Sequence, residues 1–205
     1  RWSCRKLASE LGLSKSTVQQ ARDVIRLATE PYRSLFWIIA ETGIRGGEVC
    51  GLFVEDMDLP RQFIHVKRSA WRAQLQTPKT GNAVRSFPIS PALAVHLVAF
   101  IGDRTGLIFA TRTGKPLDNY NVVTWILKPL LKQIGIEDTK YMGLHAFRHC
   151  NASALDSMGA PMRVRMDRLG PRTARNDNGL YPCKCRRPQT DCRRAWGGFL
   201  PNLTG

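Results

Sequence analysis

Acidic residues are scarce in this chain of 205 residues, which has 16 Asp and Glu against 31 Lys and Arg and a formal net charge of +15. Such a surplus of positive charge predicts a polyanionic partner. Long apolar runs are also missing, because the longest, residues 35–40, is far below the roughly 18 residues of a membrane span. The first residues do not have the pattern of a secretory signal. We therefore expect a cytoplasmic protein with reduced thiols and no membrane partner.

The two ends of the chain differ in composition from the rest. The chain opens on Arg1 rather than Met, which predicts that it is a piece of a longer polypeptide. Residues 171–205 have no apolar periodicity and are rich in Arg and Pro. They include Cys183, Cys185 and Cys192, whose thiolates could bind zinc, but no histidine lies nearby and the spacing matches none of the usual pairs. We interpret these cysteines as incidental and expect no metal site.

The segment 1–27 has a spacing that resembles a helix-turn-helix. Apolar residues at 7, 8 and 11 form one short face, a turn follows at Gly12, and Ser14 would cap a second helix that contains Val18. The alternative is that residues 15–28 are simply the first helix of the domain that follows. The two interpretations are compatible.

The rest of the chain predicts an α+β fold that is mainly helical with a small three-stranded antiparallel sheet. Apolar spacing predicts helices over 31–40, 48–52, 91–101, 119–134, 145–158 and 162–169. Alternating residues predict strands within 63–67, 74–77 and 84–89, with a turn at 80–82 joining the last two. We interpret four aromatic residues as core rather than as a base-stacking platform: Phe36, Trp37, Trp125 and Phe147.

Two segments stand out chemically, residues 42–52 and residues 144–149. His145 and Arg148 are three residues apart, so on a helix both project from one face and can address the same anion. Arg45 lies in a glycine-flanked turn that can bring a guanidinium and backbone N–H groups close to a phosphate. Lys79 lies near the tip of the predicted hairpin, from which an ammonium can enter a cleft and donate a proton.

Taken together, these residues resemble the catalytic domain of the tyrosine recombinases, or phage integrases. The resemblance covers residues 20–170, with the catalytic domain proper over 28–170. It consists of a TGxRxxE box at a helix start, a lysine in Thr-Pro-Lys-Thr, and His-x-x-Arg on a helix. Each box alone is a weak signal, whereas the three boxes in this order are a strong one.

The resemblance implies a metal-free and cofactor-free transesterification on double-stranded DNA, by a homo-oligomer associated with the nucleoid. Arg45 and Arg148 would bind the non-bridging oxygens of one scissile phosphate, and His145 would add a hydrogen bond or move a proton. Lys79 would act as general acid toward the leaving 5′ oxygen. A tyrosine would attack phosphorus and store the bond as a 3′-phosphotyrosine, so no nucleotide is needed for rejoining.

Each of these residues also has a structural interpretation. Arg45 could pair with Glu48 or cap a neighbouring helix, and His145 could be a hydrogen-bonded core histidine. Lys79 could be an exposed lysine at a sheet edge. His149, next to the box, is interpreted as structural.

The C-terminal part departs from the family pattern. The family continues with Leu-Gly-His and has its tyrosine nine residues after that histidine. Here Pro171 stands in the place of the histidine, and Tyr181 follows it by ten residues. If Tyr181 is the nucleophile, its register is shifted by one residue, about 100° of rotation on a helix.

One additional base in the C run of codons 170–171 would explain this departure. Reading the following codons one base later, so that the additional base is skipped, permits histidine at position 171 and Tyr-Thr-His from position 180, which restores the spacing of nine. Residues 171–205 would then be an out-of-frame tail, and the printed chain would lack its nucleophile. The competing interpretation is a divergent tail in which Tyr181 reacts. A non-catalytic DNA-binding protein and a type IB topoisomerase are the alternative functions.

Overall fold

The computed structural model describes residues 16–76, 85–136, 142–157, 159, 161–163 and 169. Several predictions lie outside these residues: the first half of the helix-turn-helix, the turn at 80–82, Lys79, Tyr181 and the three cysteines of the tail. Of the helix predicted over 162–169, only residues 162, 163 and 169 are described, and all three are helical.

The described part is mainly helical, with its strands grouped in the first half. The helices are α1 (Ser16–Leu27), α2 (Tyr32–Thr42), α3 (Gly46–Cys50), α4 (Pro91–Ile101), α5 (Asn119–Asn121), α6 (Lys128–Gln133) and α7 (His145–Ser157). A π-helical segment, Val122–Leu127, joins α5 to α6. The α+β class is thereby confirmed, as are the helices predicted over 31–40, 48–52, 91–101, 119–134 and 145–158, with ends that differ by up to two residues. No helix among the described residues is long and apolar enough to cross a membrane.

A three-stranded antiparallel sheet follows α3 and a short 3₁₀ turn. Its strands are β1 (Met57–Asp58), β2 (Phe63–Val66) and β5 (Arg85–Pro88), in the spatial order β1-β2-β5. Ile64 is opposite Phe87, and both are buried. The period-two pattern of these strands therefore directs their apolar side chains to the core.

The remaining strands form a separate hairpin, which differs from the predicted pairing. β3 (Ser69–Trp71) pairs with β4 (Gln74–Gln76), whereas the sequence predicted that residues 74–77 pair with 84–89. Arg72 and Ala73 make the turn, both with positive φ. Two-residue hairpin turns of this type usually have Asn or Gly at such positions. Arg-Ala is therefore not a recognisable turn signal.

The core lies between α1, α2, α7 and the sheet. Phe36 of α2 and Phe147 of α7 stack with ring centroids 5.2 Å apart, and Trp37 is also buried, as predicted. The prediction for Trp125 was wrong, because its side chain is 71% exposed. In the π-helical segment the buried residues are Val122 and Leu127, five positions apart as the π spacing requires. Trp125 lies between them in sequence and points to solvent.

The C-terminal end of α2 is connected to α4 and α7 by buried polar groups. The Glu41 carboxylate accepts hydrogen bonds from the backbone N–H and, at 3.1 Å, from the hydroxyl of Ser90, which caps α4 through the N–H of Leu93. The Asn151 amide of α7 donates to the carbonyls of Ala40 (2.9 Å) and Glu41 (2.7 Å). These carbonyls end a helix and have no partner in their own helix. Their hydrogen bonds fix where α2 ends and α3 begins.

Candidate functional site

Arg45 is the N-cap of α3 and sits at the centre of the first motif. Its extended backbone (φ −76°, ψ 150°) lets the chain turn into the helix. Its N–H donates to Glu48 Oε2 at 2.9 Å, and its guanidinium Nη1 lies 3.0 Å from Glu48 Oε1. The predicted pairing with Glu48 is therefore present. It leaves the Arg45 side chain 44% exposed, and further N–H groups of the planar fork can bind an anion.

Glu48 binds a second guanidinium from a distant part of the chain. Arg85, the first residue of β5, donates from Nη2 to the same Oε1 that faces Arg45. The Glu48 side chain is only 12% exposed, so both contacts are made largely out of water, where charge–charge attraction is stronger than in bulk solvent. Glu48 thus links α3 to the strand that follows the Lys79 segment.

Arg148, one turn into α7, is held by main-chain oxygens. Its Nη1 donates to the carbonyl of Gly43 and its Nη2 to the carbonyl of Leu169. Partial burial lowers the pKa of the Arg148 guanidinium, and the positive charge of Arg45 lowers it further by a smaller amount. The negative charge of Glu48 opposes that shift. The group stays a cation at neutral pH. Its orientation is set by α2 and by Leu169 before any ligand arrives.

His145 begins α7 and lies in the same positive surroundings. Partial burial of the ring lowers its pKa below the ordinary value, and the nearby charges of Arg148, His149 and Arg45 lower it further. The predicted proximity of His145 and Arg148 on one helix face is therefore present. His145 and His149 contact edge to face, with ring centroids 6.1 Å apart. A neutral imidazole can donate one N–H to a phosphate oxygen.

Glycine allows α2, α3, α5 and α7 to converge at this point. Gly43 ends α2 with φ +71°, and a Cβ placed there would lie 2.9 Å from Leu169 Cδ2 and 3.1 Å from Asn151 Oδ1. A Cβ on Gly46 would lie 2.4 Å from Asn119 Oδ1 at the start of α5. A Cβ fits at these positions only if the Leu169 or Asn119 side chain shifts, and at Gly43 the positive φ adds backbone strain. The glycines of the first motif therefore provide space around Arg45 and Arg148.

The structure brings three of the five predicted site residues together: Arg45, His145 and Arg148. Lys79 and Tyr181 lie outside the described residues. The strands on either side of Lys79 are described, with β4 ending at Gln76 and β5 beginning at Arg85. Because Arg85 binds Glu48, the C-terminal side of the Lys79 segment is attached directly to α3.

Two further residues shape the site and were not predicted. Arg85 is 37 positions from its partner Glu48, and Asn151 is more than 100 positions from the carbonyls that it binds. No local spacing rule connects such pairs. The available signal was one of residue type, since a strand of a half-buried sheet rarely places Arg beside the core and a buried helix position rarely holds Asn.

The arrangement suits a phosphate group, as a monoester or a diester, better than a metal ion. The guanidiniums of Arg45 and Arg85 bind the single carboxylate of Glu48, Arg148 lies within electrostatic range of all three groups, and the His145 ring is close to Arg148 and Arg45. Planar guanidinium forks match phosphate oxygens and remain charged at all relevant pH values. Within the described ranges, no three His, Cys, Asp or Glu side chains are grouped so that they could hold a metal ion.

Comparison with protein-family models gives a match over most of the chain. The model described as the phage integrase family matches residues 13–174. Among curated proteins, a tyrosine recombinase XerC-like protein of Caldanaerobacter subterraneus is 26% identical over 167 residues, 67% of this chain and 42% of the relative. The tyrosine recombinase XerC of Thermodesulfovibrio yellowstonii is 27% identical over 171 residues, 80% of this chain and 50% of the relative. The chain thus spans about half the length of these relatives.

Solved structures share the fold. The crystal structure of XerA recombinase superposes with a TM-score of 0.62 at 20% identity and covers 90% of this chain and 64% of that one. The Tn1549 transposon integrase, solved in complex with a circular intermediate DNA, gives a TM-score of 0.60 at 19% identity, over 78% of this chain and 56% of that one.

Proposed function

This chain belongs to the phage integrase family, and from that premise we propose that it is the catalytic part of a site-specific recombinase that cuts and rejoins double-stranded DNA through a 3′-phosphotyrosine. One observation supports this most directly: Arg45 and Arg148, 103 positions apart, come close to each other and to His145. The convergence comes from α2 and α7, which pack on each other through Phe36 and Phe147. The core of the fold therefore builds the site.

In the proposed reaction, the two guanidiniums bind the non-bridging oxygens of one phosphodiester. Negative charge grows on these oxygens as phosphorus becomes pentacovalent, and fixed cations stabilise that charge without having to reorganise. Arg148 is oriented by the carbonyls of Gly43 and Leu169, and Arg45 by Glu48. Each keeps N–H groups that these contacts do not use, because a guanidinium has five.

His145 and Lys79 are proposed to manage the protons. The lowered pKa of His145 keeps the free imidazole neutral near pH 7, so one ring nitrogen can donate a hydrogen bond to the phosphate while the other takes up the phenol proton of the attacking tyrosine. Lys79 gives its proton to the 5′ oxygen as the P–O5′ bond breaks. Rejoining runs in reverse: the 5′ hydroxyl attacks phosphorus and returns its proton to Lys79, and the tyrosine leaves as a phenol with the proton that His145 held.

The nucleophile is proposed to lie in the restored reading frame. We assign residues 28–170 to the catalytic domain, 1–27 to a helix-turn-helix-like N-terminal segment, and 171–205 to an out-of-frame tail. The family match ends at residue 174, which agrees with a change of frame near Pro171. The printed chain then binds DNA and contacts the phosphate, but forms no covalent bond unless Tyr181 substitutes for the missing tyrosine.

The test is a nicked suicide duplex, in which cleavage releases a short fragment and traps the covalent protein–DNA adduct. A panel of such duplexes, taken from the DNA that flanks the gene, is incubated with the printed chain, with its Tyr181→Phe variant and with the frame-corrected chain. We expect adduct from the frame-corrected chain alone, and loss of that adduct in its Arg148→Lys variant, since an ammonium cannot reproduce the bidentate fork.

Adduct from the printed chain that disappears in Tyr181→Phe would show instead that Tyr181 reacts and that the tail is in frame. Sequencing the gene across codons 165–186 gives an independent answer. Binding without adduct from either chain would favour a DNA-binding protein that has lost catalysis. Relaxation of supercoiled DNA without site preference would indicate topoisomerase activity.

The remaining elements of the proposal concern the assembly. We propose that the protein acts as a homo-oligomer on DNA in the cytoplasm, at the nucleoid. Recombination joins two duplexes, so each exchanged strand needs its own active site.

A further inference from the structure

The β3–β4 hairpin ends in an exposed aromatic side chain that the proposed reaction does not use. Trp71 is 61% exposed, and Leu75 on the paired strand is 45% exposed. The guanidinium carbon of Arg72 lies 5.9 Å from the centroid of the Trp71 ring, at the limit of a cation–π contact. A Trp ring left exposed to water lacks the hydrophobic stabilisation that burial would give, which is among the largest of any side chain. Trp is enriched at binding interfaces, because its ring system is apolar and its N–H is polar.

The base of the hairpin packs against α3, the helix whose N-cap is Arg45. The Ala70 carbonyl lies 2.7 Å from where a Cβ of Gly47 would be, and the Ser69 backbone lies 3.0 Å from where a Cβ of Gly51 would be. With 3.8 Å between consecutive Cα atoms, these contacts limit the distance between the Cα atoms of Trp71 and Arg45 to about 18 Å. That distance is roughly five base-pair steps of 3.4 Å. The tip is therefore within reach of bases next to the phosphate at the site.

The charge around the hairpin is suited to nucleic acid. Residues 59–102 contain no Asp or Glu, although they include six Lys and Arg. Of these, Lys67 and Arg68 pair with Asp56 and Glu55 at the base. Arg72 at the tip makes no ion pair with any residue that the structure describes, and its guanidinium lies beside the Trp71 ring. The tip thus presents an aromatic face beside a positive charge that has no counterion within the described part of the chain.

We propose that this hairpin is a second DNA contact, in which Trp71 stacks on a base left unpaired beside the cut strand while Arg72 binds an adjacent phosphate. The proposal rests on the proposed function, since strand exchange opens base pairs next to the break. A base has an aromatic face whatever its identity, so stacking gives affinity for opened DNA without reading its sequence. Fully paired DNA hides that face within the helix, so there only the Arg72 contact remains.

The test compares the binding of the printed chain to two short duplexes of the same sequence, one fully paired and one with a central unpaired bubble. Binding is measured by fluorescence anisotropy of end-labelled DNA at fixed salt and needs no nucleophile. The expected result is about tenfold tighter binding to the bubble, the scale of one stacked base. Trp71→Leu, which keeps apolar bulk without the aromatic face, abolishes the preference, and Trp71→Phe retains most of it.

Two further variants separate the contributions. Arg72→Gln lowers affinity for both duplexes and reduces the slope of log K against log salt by about one, as expected for one lost phosphate contact. Trp125→Leu is the matched control, because Trp125 is exposed to a similar fraction, 71%, on another element. We expect this variant to keep the preference for the bubble. Circular dichroism verifies that each variant is folded.

The possible results are distinguishable. A bubble preference that Trp71→Leu removes and Trp125→Leu leaves supports the proposal. An absent preference, a preference unchanged in Trp71→Leu, or an equal loss in Trp125→Leu overturns it while leaving the proposed function intact. Failure to bind either duplex rejects the proposed function itself, and this inference with it.

Discussion

Glu48 holds two guanidiniums at once, and its single charge offsets only part of theirs. Its Oε1 accepts from both Arg45 and Arg85, in a position where the carboxylate is largely buried. A half-neutralised cluster of this kind keeps the arginines in place while leaving net positive charge for a ligand. In the proposed reaction Glu48 is therefore a positioning residue, because it would act on the phosphate through Arg45.

We predict that Glu48→Gln destabilises the fold by about 2 kcal/mol, the scale of hydrogen bonds to charged groups. The amide offers one oxygen and no charge, so Arg45 and Arg85 are left close together without a counterion. Urea denaturation monitored by circular dichroism measures the change. Glu55→Gln is the matched control, since Glu55 pairs with Arg68 but is 65% exposed, and exposed pairs contribute under about 1 kcal/mol. Equal effects in the two variants would contradict a special role for Glu48.

The second prediction at this scale concerns the proton of His145, whose pKa is lowered in the free protein. A phosphate at the site stabilises the imidazolium, so bound DNA raises this pKa. Between the free and the bound pKa, binding takes up a proton, and affinity therefore increases as pH falls through that window and levels off below it. Histidine NMR titrations with and without DNA measure both values.

Two variants assign this effect. His145→Gln is expected to remove the shifted resonance and to flatten the pH dependence of DNA affinity within the window. His65→Gln, on β2 with its ring hydrogen-bonded to Ser86 at 2.8 Å, is expected to leave both unchanged. An unaltered pH profile in His145→Gln would place the titrating group elsewhere.

At the scale of elements, the site depends on how α2 ends. Gly43 ends the helix in the left-handed conformation, and its N–H donates to the carbonyl of Ile39 at 2.8 Å. The same residue gives its carbonyl to Arg148. The end of α2 thus both terminates a helix and orients a guanidinium of α7.

We predict that Gly43→Ala costs clearly more stability than Gly114→Ala. Both glycines have positive φ, +71° and +76°, and each substitution costs about 1–2 kcal/mol for the left-handed backbone alone. Only at Gly43 does the new methyl meet other atoms, with Leu169 at 2.9 Å, whereas Gly114 has open space. The difference in unfolding free energy between the variants measures that clash, and equal costs would show that α7 and Leu169 move aside freely.

Elements and motif residues were predictable where the signal was local. Apolar spacing gave the helices, because one face of each packs on the core, and short boxes indicated Arg45, His145 and Arg148. The predicted pairing of β4 with β5 was wrong, because the Arg72–Ala73 turn lacks the Asn or Gly that usually marks a hairpin turn. The prediction that Trp125 is buried was also wrong, because a π-helical segment changes which positions share a face.

The contacts that complete the site could not be predicted from one sequence. Arg85 and Asn151 act on partners far away in the chain, and their positions follow from how β5 and α7 pack on the end of α2. Packing of this kind is decided by tertiary structure, to which residue patterns of period two or 3.6 give no direct access.

At the scale of the whole molecule, charge is the dominant property. The formal net charge of +15 attracts any polyanion, and the clustered arginines concentrate positive charge at one position. Affinity that comes from phosphate contacts decreases with salt, because binding releases condensed counterions.

We predict that the slope of log K against log salt for duplex DNA is about −4 or steeper, as for four or more neutralised phosphates. Arg45→Gln, at a site where the side chain is 44% exposed, should reduce the steepness by about one without unfolding the protein. Anisotropy titrations over a range of salt concentrations give the slope. A slope near zero would exclude phosphate contacts as the main source of affinity.

The hydrogen bonds of Arg148 to main-chain carbonyls bear on how this family tolerates mutation. Every residue has a carbonyl, so no substitution at position 43 or 169 can delete an acceptor, and a change there can only displace one. The orientation of the guanidinium is therefore encoded in the path of the backbone, and the identities of residues 43 and 169 matter only through that path. Sequences can drift far apart around such an arginine and still hold it in the same direction.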